Sequence, residues 1–236
     1  MPHLFSRFEM LVGPEALTKL KNVHVCVLGL GGVGGHATEA LVRSGVGTLT
    51  LVDHDTVSIT NLNRQIIATQ STLHQKKTDA MEARAKDINP DIRIIKKDLF
   101  FSAENIDTLD FDTYDYIIDA IDSVSSKLTL IEEAKKSHTP IISSMGTGNK
   151  LNPQKLVITD IFKTSVCPLA RVMRTELRRR GIAELKVVYS PEPPLKAAEG
   201  DEASTRRHIP GSTAFVPACA GLIIASEVIR DLIDIQ

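Results

Sequence analysis

Short apolar runs alternate along the chain with longer stretches in which apolar positions recur every three or four residues. Val23 to Leu28 is a mostly apolar run, followed by Gly29 to Gly34 and then by Ala37, Ala40 and Leu41 at helical spacing. A second run, Leu49 to Val52, ends at Asp53. Strand, glycine turn, helix, strand is the order of a βαβ unit, and its length is about what a parallel crossover requires. The alternation then continues with a helix over Lys77 to Ile88, strands at Arg93 to Lys97 and Tyr116 to Ile118, a helix over Ser126 to Lys136 and a strand at Pro140 to Ser143. Five strands with intervening helices predict an α/β fold with a Rossmann-like doubly wound sheet.

Beyond Asn152-Pro153 the rhythm changes. A strand at Lys155 to Thr159, a basic helix over Pro168 to Arg180 and a strand at Lys186 to Tyr189 lead into a polar segment, Ser190 to Gly211, punctuated by Pro191, Pro193, Pro194 and Pro210. The chain closes on an apolar stretch from Ser212 to Ile224, interrupted by Pro217 and followed by Glu227 and Arg230. That stretch is too short and too punctuated to span a bilayer, and it predicts a buried helix. The expected organisation is a doubly wound core over residues 1–160 with an N-terminal arm. An α/β extension over 161–236 faces the substrate and packs its last helix on the same domain.

Composition narrows the class. At 42% hydrophobic and a net charge of −1, the chain is an ordinary globular protein with no global basic field. The charge is nevertheless uneven, because residues 161–196 carry eight Lys or Arg against three Glu. A polyanion is a reasonable partner for that segment, with a solvated helix face as the competing reading. The three cysteines, Cys26, Cys167 and Cys219, form no C-x-x-C pair, so neither a disulfide framework nor a zinc site is expected. Met1 to Leu11 lacks the basic start and apolar run of an export signal, so cytoplasmic residence is expected.

Gly29-Leu30-Gly31-Gly32-Val33-Gly34 fits G-x-G-x-x-G after a strand and at the start of a helix, with Asp53 ending the next strand. Glycines there let the backbone approach phosphates at a helix N-terminus, where free N–H groups favour negative charge, and Asp53 is placed to accept from ribose hydroxyls. Taken alone, the motif serves NAD, FAD or ATP. Asn61-Leu62-Asn63-Arg64-Gln65 follows, Lys77 opens the next helix, and Asp122 lies just past the fourth strand. A dehydrogenase has no evident use for that polar set at the carboxyl edge of the sheet. Attack on an α-phosphate does, since Arg64 and Lys77 offset the growing phosphate charge and a carboxylate such as Asp122 holds Mg²⁺ across the phosphates. The alternative for Asp122 is a helix N-cap.

These segments, together with Leu-Val-Asp-His-Asp-Thr-Val at 51–57, Ile-Asn-Pro at 88–90 and Asp-Ala-Ile-Asp at 119–122, resemble the ubiquitin-activating-type adenylyltransferase superfamily in order and spacing. The resemblance covers roughly residues 7–160. It implies that Gly29, Gly31, Gly32, Gly34, Asp53, Asp55, Asn61 and Gln65 surround ATP, that Arg64, Lys77 and Asp122 carry the chemistry, and that Asp122 holds Mg²⁺. It also implies a homodimer in which Arg7 reaches the ATP of the partner subunit. The second half, with Thr-Ser-Val-Cys-Pro-Leu-Ala-Arg at 164–171 and Val-Tyr-Ser-Pro-Glu at 188–192, is closer to the branch that dehydrates threonylcarbamoyladenosine in tRNA than to activators of sulfur-carrier proteins. The implied activity is ATP-dependent cyclisation of that base through an acyl-adenylate, with adenylation of a small sulfur-carrier C-terminus as the alternative. A sulfur-transfer partner and a bound monovalent cation are left open.

The basic segment then acquires a use. Arg171, Arg174 and Arg178, three and four apart, would share a helix face toward the tRNA backbone, with Arg206 and Arg207 on the following loop. Tyr189 is the aromatic candidate for stacking a base there. No enzyme nucleophile is required, and all three cysteines are expected to be structural.

Overall fold

The computed structural model describes residues 3–196 and 210–235 of the chain. Two short helices come first, α1 (Ser6–Val12) and α2 (Pro14–Lys21), turning at Gly13 with φ of +87°. Pro14 opens α2, where a missing N–H does no harm, and Leu17 and Leu20 are buried on its inner side. The expected arm is thus a helical pair anchored in the core.

The strands are β1 (His24–Leu28), β2 (Thr48–Val52), β3 (Arg93–Lys97), β4 (Tyr116–Asp119), β5 (Ile141–Ser144), β6 (Val157–Asp160) and β7 (Lys186–Tyr189). They form one seven-stranded sheet in the order β3-β2-β1-β4-β5-β7-β6. Every pairing is parallel except that of β6 with β7, so the sheet is doubly wound with an antiparallel edge. The order reverses between β1 and β4, which opens a crevice at their carboxyl ends.

The remaining helices are α3 (Gly34–Arg43), α4 (Lys77–Ile88), α5 (Val124–Lys136), α6 (Pro168–Arg179) and α7 (Val216–Leu232). Alternation along the buried strands sorts their side chains between two cores. Val25, Val27, Ile118, Ile142 and Val188 face the layer containing Leu41, Met81, Ile224 and Val228 of α3, α4 and α7. Cys26, Leu28, Ile117, Ile141 and Val187 face Leu130, Ile131, Met173 and Leu177 of α5 and α6. Burial on both faces explains why these strands read as continuous apolar runs.

Boundaries differ from the sequence expectation where local chemistry intervenes. The Ser123 hydroxyl accepts from Ser126 N, so α5 starts two residues early and Asp122 is not its cap. Pro153–Lys155 winds into a 3₁₀ turn, delaying β6 to Val157. Helix α7 continues eight residues past Ile224 to Leu232, because Val228 and Ile229 extend its buried stripe while Glu227 and Arg230 stay on the outer side. Among the described residues, no helix is long and apolar enough to cross a membrane.

Helix α3 packs tightly against the turn that precedes it. A methyl group on Gly34 would lie 1.8 Å from the Gly29 carbonyl oxygen, and one on Gly29 would lie 2.5 Å from that of Ala120. Gly34→Ala is therefore expected to lower stability by more than about 3 kcal/mol in urea denaturation, or to leave no folded protein.

Candidate active site

A cleft of about 320 Å³ opens above the carboxyl ends of β1 and β4. Its walls include Gly29, Gly31, Gly32, Asp53, Asp55, Asn61, Arg64, Gln65, Lys77 and Asp122, so side chains from four separate stretches of sequence meet in one place. Gly34 does not line it; that glycine serves the turn by letting the helix backbone approach Gly29. Arg7 lies on the exposed side of α1, away from this chain's own cleft.

The β1–α3 turn is fastened by Asp53. One carboxylate oxygen accepts from Leu30 N at 2.7 Å and the other from Asp55 N at 2.9 Å. Both oxygens keep a lone pair for further donors. The Lys77 ammonium, almost wholly buried, stands 2.6 Å from Asp55 Oδ2 and 3.8 Å from Asp53 Oδ2. Lys77 opens α4, and its backbone N–H donates to Asp55 O at 3.0 Å, so main chain and side chain are tied to the same residue.

Asn61, Arg64 and Gln65 share a face because they occupy one helical turn. Asn61 O accepts from Arg64 N at 3.1 Å and from Gln65 N at 2.9 Å. The Arg64 guanidinium donates to Thr60 O and Asn63 Oδ1, both at 2.9 Å. Gln65 is 7% exposed, and its Oε1 is the one buried side-chain polar atom without a partner among the described residues. An orphaned acceptor is costly, and one lining a polar cleft is open to a donor from outside the protein. Asp122 is exposed on the cleft rim.

Several wall residues escaped the sequence reading. Leu99, Phe100 and Phe101, just past β3, give the cleft an apolar side, and His54 stacks edge-on against Phe100 with ring centroids 5.0 Å apart. The signal was an apolar triplet at the carboxyl end of a strand. His36, by contrast, is held locally by Gly32 O at 2.9 Å. Thr147, Ser212 and Pro217 close the far side.

Beyond Thr147 the chain is stitched to the second half of the molecule. Asn149 pairs with Gly211 through its backbone N and its side-chain Oδ1, and its carbonyl accepts from Leu195 N, so both described ends of the polar segment meet on one residue. Lys150 is buried beside it and donates to Ser190 O and Glu192 O, and desolvation holds its pKa below the usual lysine range. Backbone N–H bonds from Leu151 and Asn152 hold the Glu192 carboxyl below its usual pKa.

The proposed RNA face is only partly free. Arg171 is exposed, but Arg174 turns inward to Thr164 O and Oγ1, and the Arg178 guanidinium lies 5.0 Å above the Phe162 ring. The three do not present one uniform stripe, because Thr164 and Phe162, in the segment leading into α6, draw two of them off it. Arg206 and Arg207 lie outside the described residues. Tyr189 is 7% exposed within the sheet's core, which removes it as a stacking platform. Cys26 is buried and its thiol is pushed far up by desolvation, and Cys167 is buried against Gly146, so neither is presented as a nucleophile.

A doubly wound sheet with this cleft at its switch point is the architecture of a nucleotide-binding enzyme, and the chain belongs to the ThiF family, which it matches over residues 5–236. It is 46% identical to tRNA threonylcarbamoyladenosine dehydratase of Bacillus subtilis, over 99% of this chain and 96% of the relative. The enzyme of the same name from Haemophilus influenzae is 35% identical, over 97% and 93%. The crystal structure of Escherichia coli tRNA N6-threonylcarbamoyladenosine dehydratase in complex with AMP matches with a TM-score of 0.89 at 32% identity, covering 98% of this chain and 94% of that one. Its complex with ATP gives 0.86 at 31%, covering 98% and 93%.

Gly31 separates binding from folding. A methyl group there meets nothing nearer than Gln65 Nε2 at 3.9 Å, so Gly31→Ala is expected to melt like the parent. It narrows the approach to the turn, and calorimetric titration should show ATP affinity reduced by about tenfold or more, near 1.4 kcal/mol.

Proposed function

We propose that the protein dehydrates threonylcarbamoyladenosine in tRNA at the expense of ATP. The observation that carries this reading is the meeting of Arg64, Lys77 and Asp122 in one cleft beneath the glycine turn, in a chain so similar to enzymes of that name. A nicotinamide site has no use for two cations and a rim carboxylate. An adenylating site has, because negative charge grows on the α-phosphate as it is attacked.

The residues fit the nucleotide. Turn N–H groups at the start of α3 face the phosphates, Asp53 takes ribose hydroxyls, and the unpaired Gln65 Oε1 accepts a donor from the ligand. Mg²⁺ suits Asp122, since that ion keeps much of its water and takes one or two carboxylates along with phosphate oxygens. Asp53, His54 and Asp55 also lie close together, but Asp55 is engaged by Lys77 and Asp53 by the turn. When bound, the ion offsets charge on the phosphates.

A carboxylate is a poor electrophile, so its oxygen first attacks the α-phosphorus and pyrophosphate departs. Lys77, leaving Asp55, and Arg64 stabilise the charge that develops. The acyl-adenylate then has a good leaving group, a nitrogen of the same substrate closes the ring with loss of its proton, and AMP carries away the carboxylate oxygen. The net change is loss of one water. Holding both reactants in register supplies much of the acceleration. Arg171 and the neighbouring basic residues bind the tRNA backbone, Arg206 and Arg207 included, and the enzyme works in the cytoplasm.

The enzyme acts as a homodimer. An apolar groove between α1 and α7, lined by Phe8, Leu11, Leu222, Ile229 and Ile235, supports this, because Leu11 is 81% exposed and a second copy would cover it. Arg7 sits on the same short helix and reaches the partner's ATP.

Incubated with ATP, Mg²⁺ and modified tRNA, the enzyme should yield digested nucleoside lighter by one water, with matching AMP. Lys77→Ala and Asp122→Ala should each abolish the product while leaving the fold intact by circular dichroism; turnover at the parental rate in both would remove the site assignment. Arg7→Ala and Lys77→Ala, each inactive alone, should complement on mixing and recover about a quarter of wild-type turnover, since half of random dimers are hybrids with one complete site. No recovery after verified subunit exchange would place Arg7 outside the partner's site.

A further inference from the structure

An ion pair with both side chains wholly buried lies directly beneath the cleft and takes no part in the chemistry above. Lys127, one turn into α5, puts its ammonium 3.0 Å from Asp119 Oδ2 at the end of β4. The same ammonium donates to Ser143 Oγ at 3.1 Å and to the Ser144 carbonyl at 2.9 Å, both on β5. Asp119 Oδ2 also accepts from Ser143 Oγ at 2.5 Å, and Oδ1 accepts from Ile121 N at 3.2 Å.

Stability alone does not account for such a pair. Desolvating two charges costs several kcal/mol per ion, and apolar residues of similar volume commonly serve a core as well or better. The partners suggest another reason. Through Asp119 the pair fixes the amide of Ile121, immediately before Asp122; through Lys127 it fixes the carbonyl of Ser144, three residues before Thr147. Ile121, Asp122 and Thr147 all line the cleft. We infer that Asp119 and Lys127 are a positioning pair that sets the Asp122 carboxylate and the Thr147 loop at a fixed separation. This rests on the reading of Asp122 as the Mg²⁺ ligand.

The test replaces the pair by apolar residues, Asp119→Leu with Lys127→Met, and titrates ATP calorimetrically in Mg²⁺ and in EDTA. The double variant should melt within a few degrees of the parent. Its ATP affinity in Mg²⁺ should fall by about tenfold or more, as when supporting partners of a metal ligand are removed, while the deficit in EDTA stays below about threefold. Ser143→Ala keeps both charges and serves if the double variant does not fold; it should show the same Mg²⁺-dependent deficit at about threefold. Parental affinity in Mg²⁺ overturns the inference, and so does an equal loss with and without Mg²⁺. Asp122→Ala separates the two levels. If it binds ATP in Mg²⁺ like the parent, the metal reading itself fails; if it is impaired while the pair variants are not, only the positioning role fails.

Discussion

The site depends on how closely three backbone segments approach one another at the switch point. The β1–α3 turn touches the residue after β4 on one side and the start of its own helix on the other, with no room for a side chain at Gly29 or Gly34. Asp53 reaches across from β2 and bonds the turn at Leu30 N. The backbone of the turn is thus fixed before any ligand arrives, and a preorganised dipole need not be reoriented during reaction.

Much of this was legible in the sequence because the governing signals are local. A glycine fingerprint between a strand and a helix, and buried strands read as apolar runs, depend on neighbours a few residues away. The polar set was legible for a related reason: each of Arg64, Lys77 and Asp122 follows the carboxyl end of a strand or opens a helix, and in a doubly wound sheet those positions converge.

What the sequence concealed depends on side-chain partners distant in the chain. Nothing near Arg174 announces that Thr164 will capture its guanidinium, and helical spacing alone made the α6 arginines look equivalent. The apolar wall at Leu99–Phe101 was hidden because an apolar triplet beyond a strand carries no polar group to mark it as part of a site. Tyr189 looked available beside a polar segment, yet its place on an interior strand buries it. Asp119 and Lys127 lie eight residues apart, and only the turn from β4 into α5 brings them together.

The Lys77 ammonium rests against Asp55 and near Asp53. The cation that would meet a phosphate is therefore already neutralised in the resting protein. An entering anion must exchange places with a carboxylate, so its net gain is the difference between two ionic contacts rather than the whole of one. A lone inorganic phosphate, lacking ribose and base to hold it, collects little from that exchange, whereas a nucleotide anchored along the entire crevice can complete it. With Lys77 as the phosphate-binding cation proposed above, selectivity for a full nucleotide over the abundant small anions of the cell would be built into the resting arrangement of charges, ahead of any contact with the base.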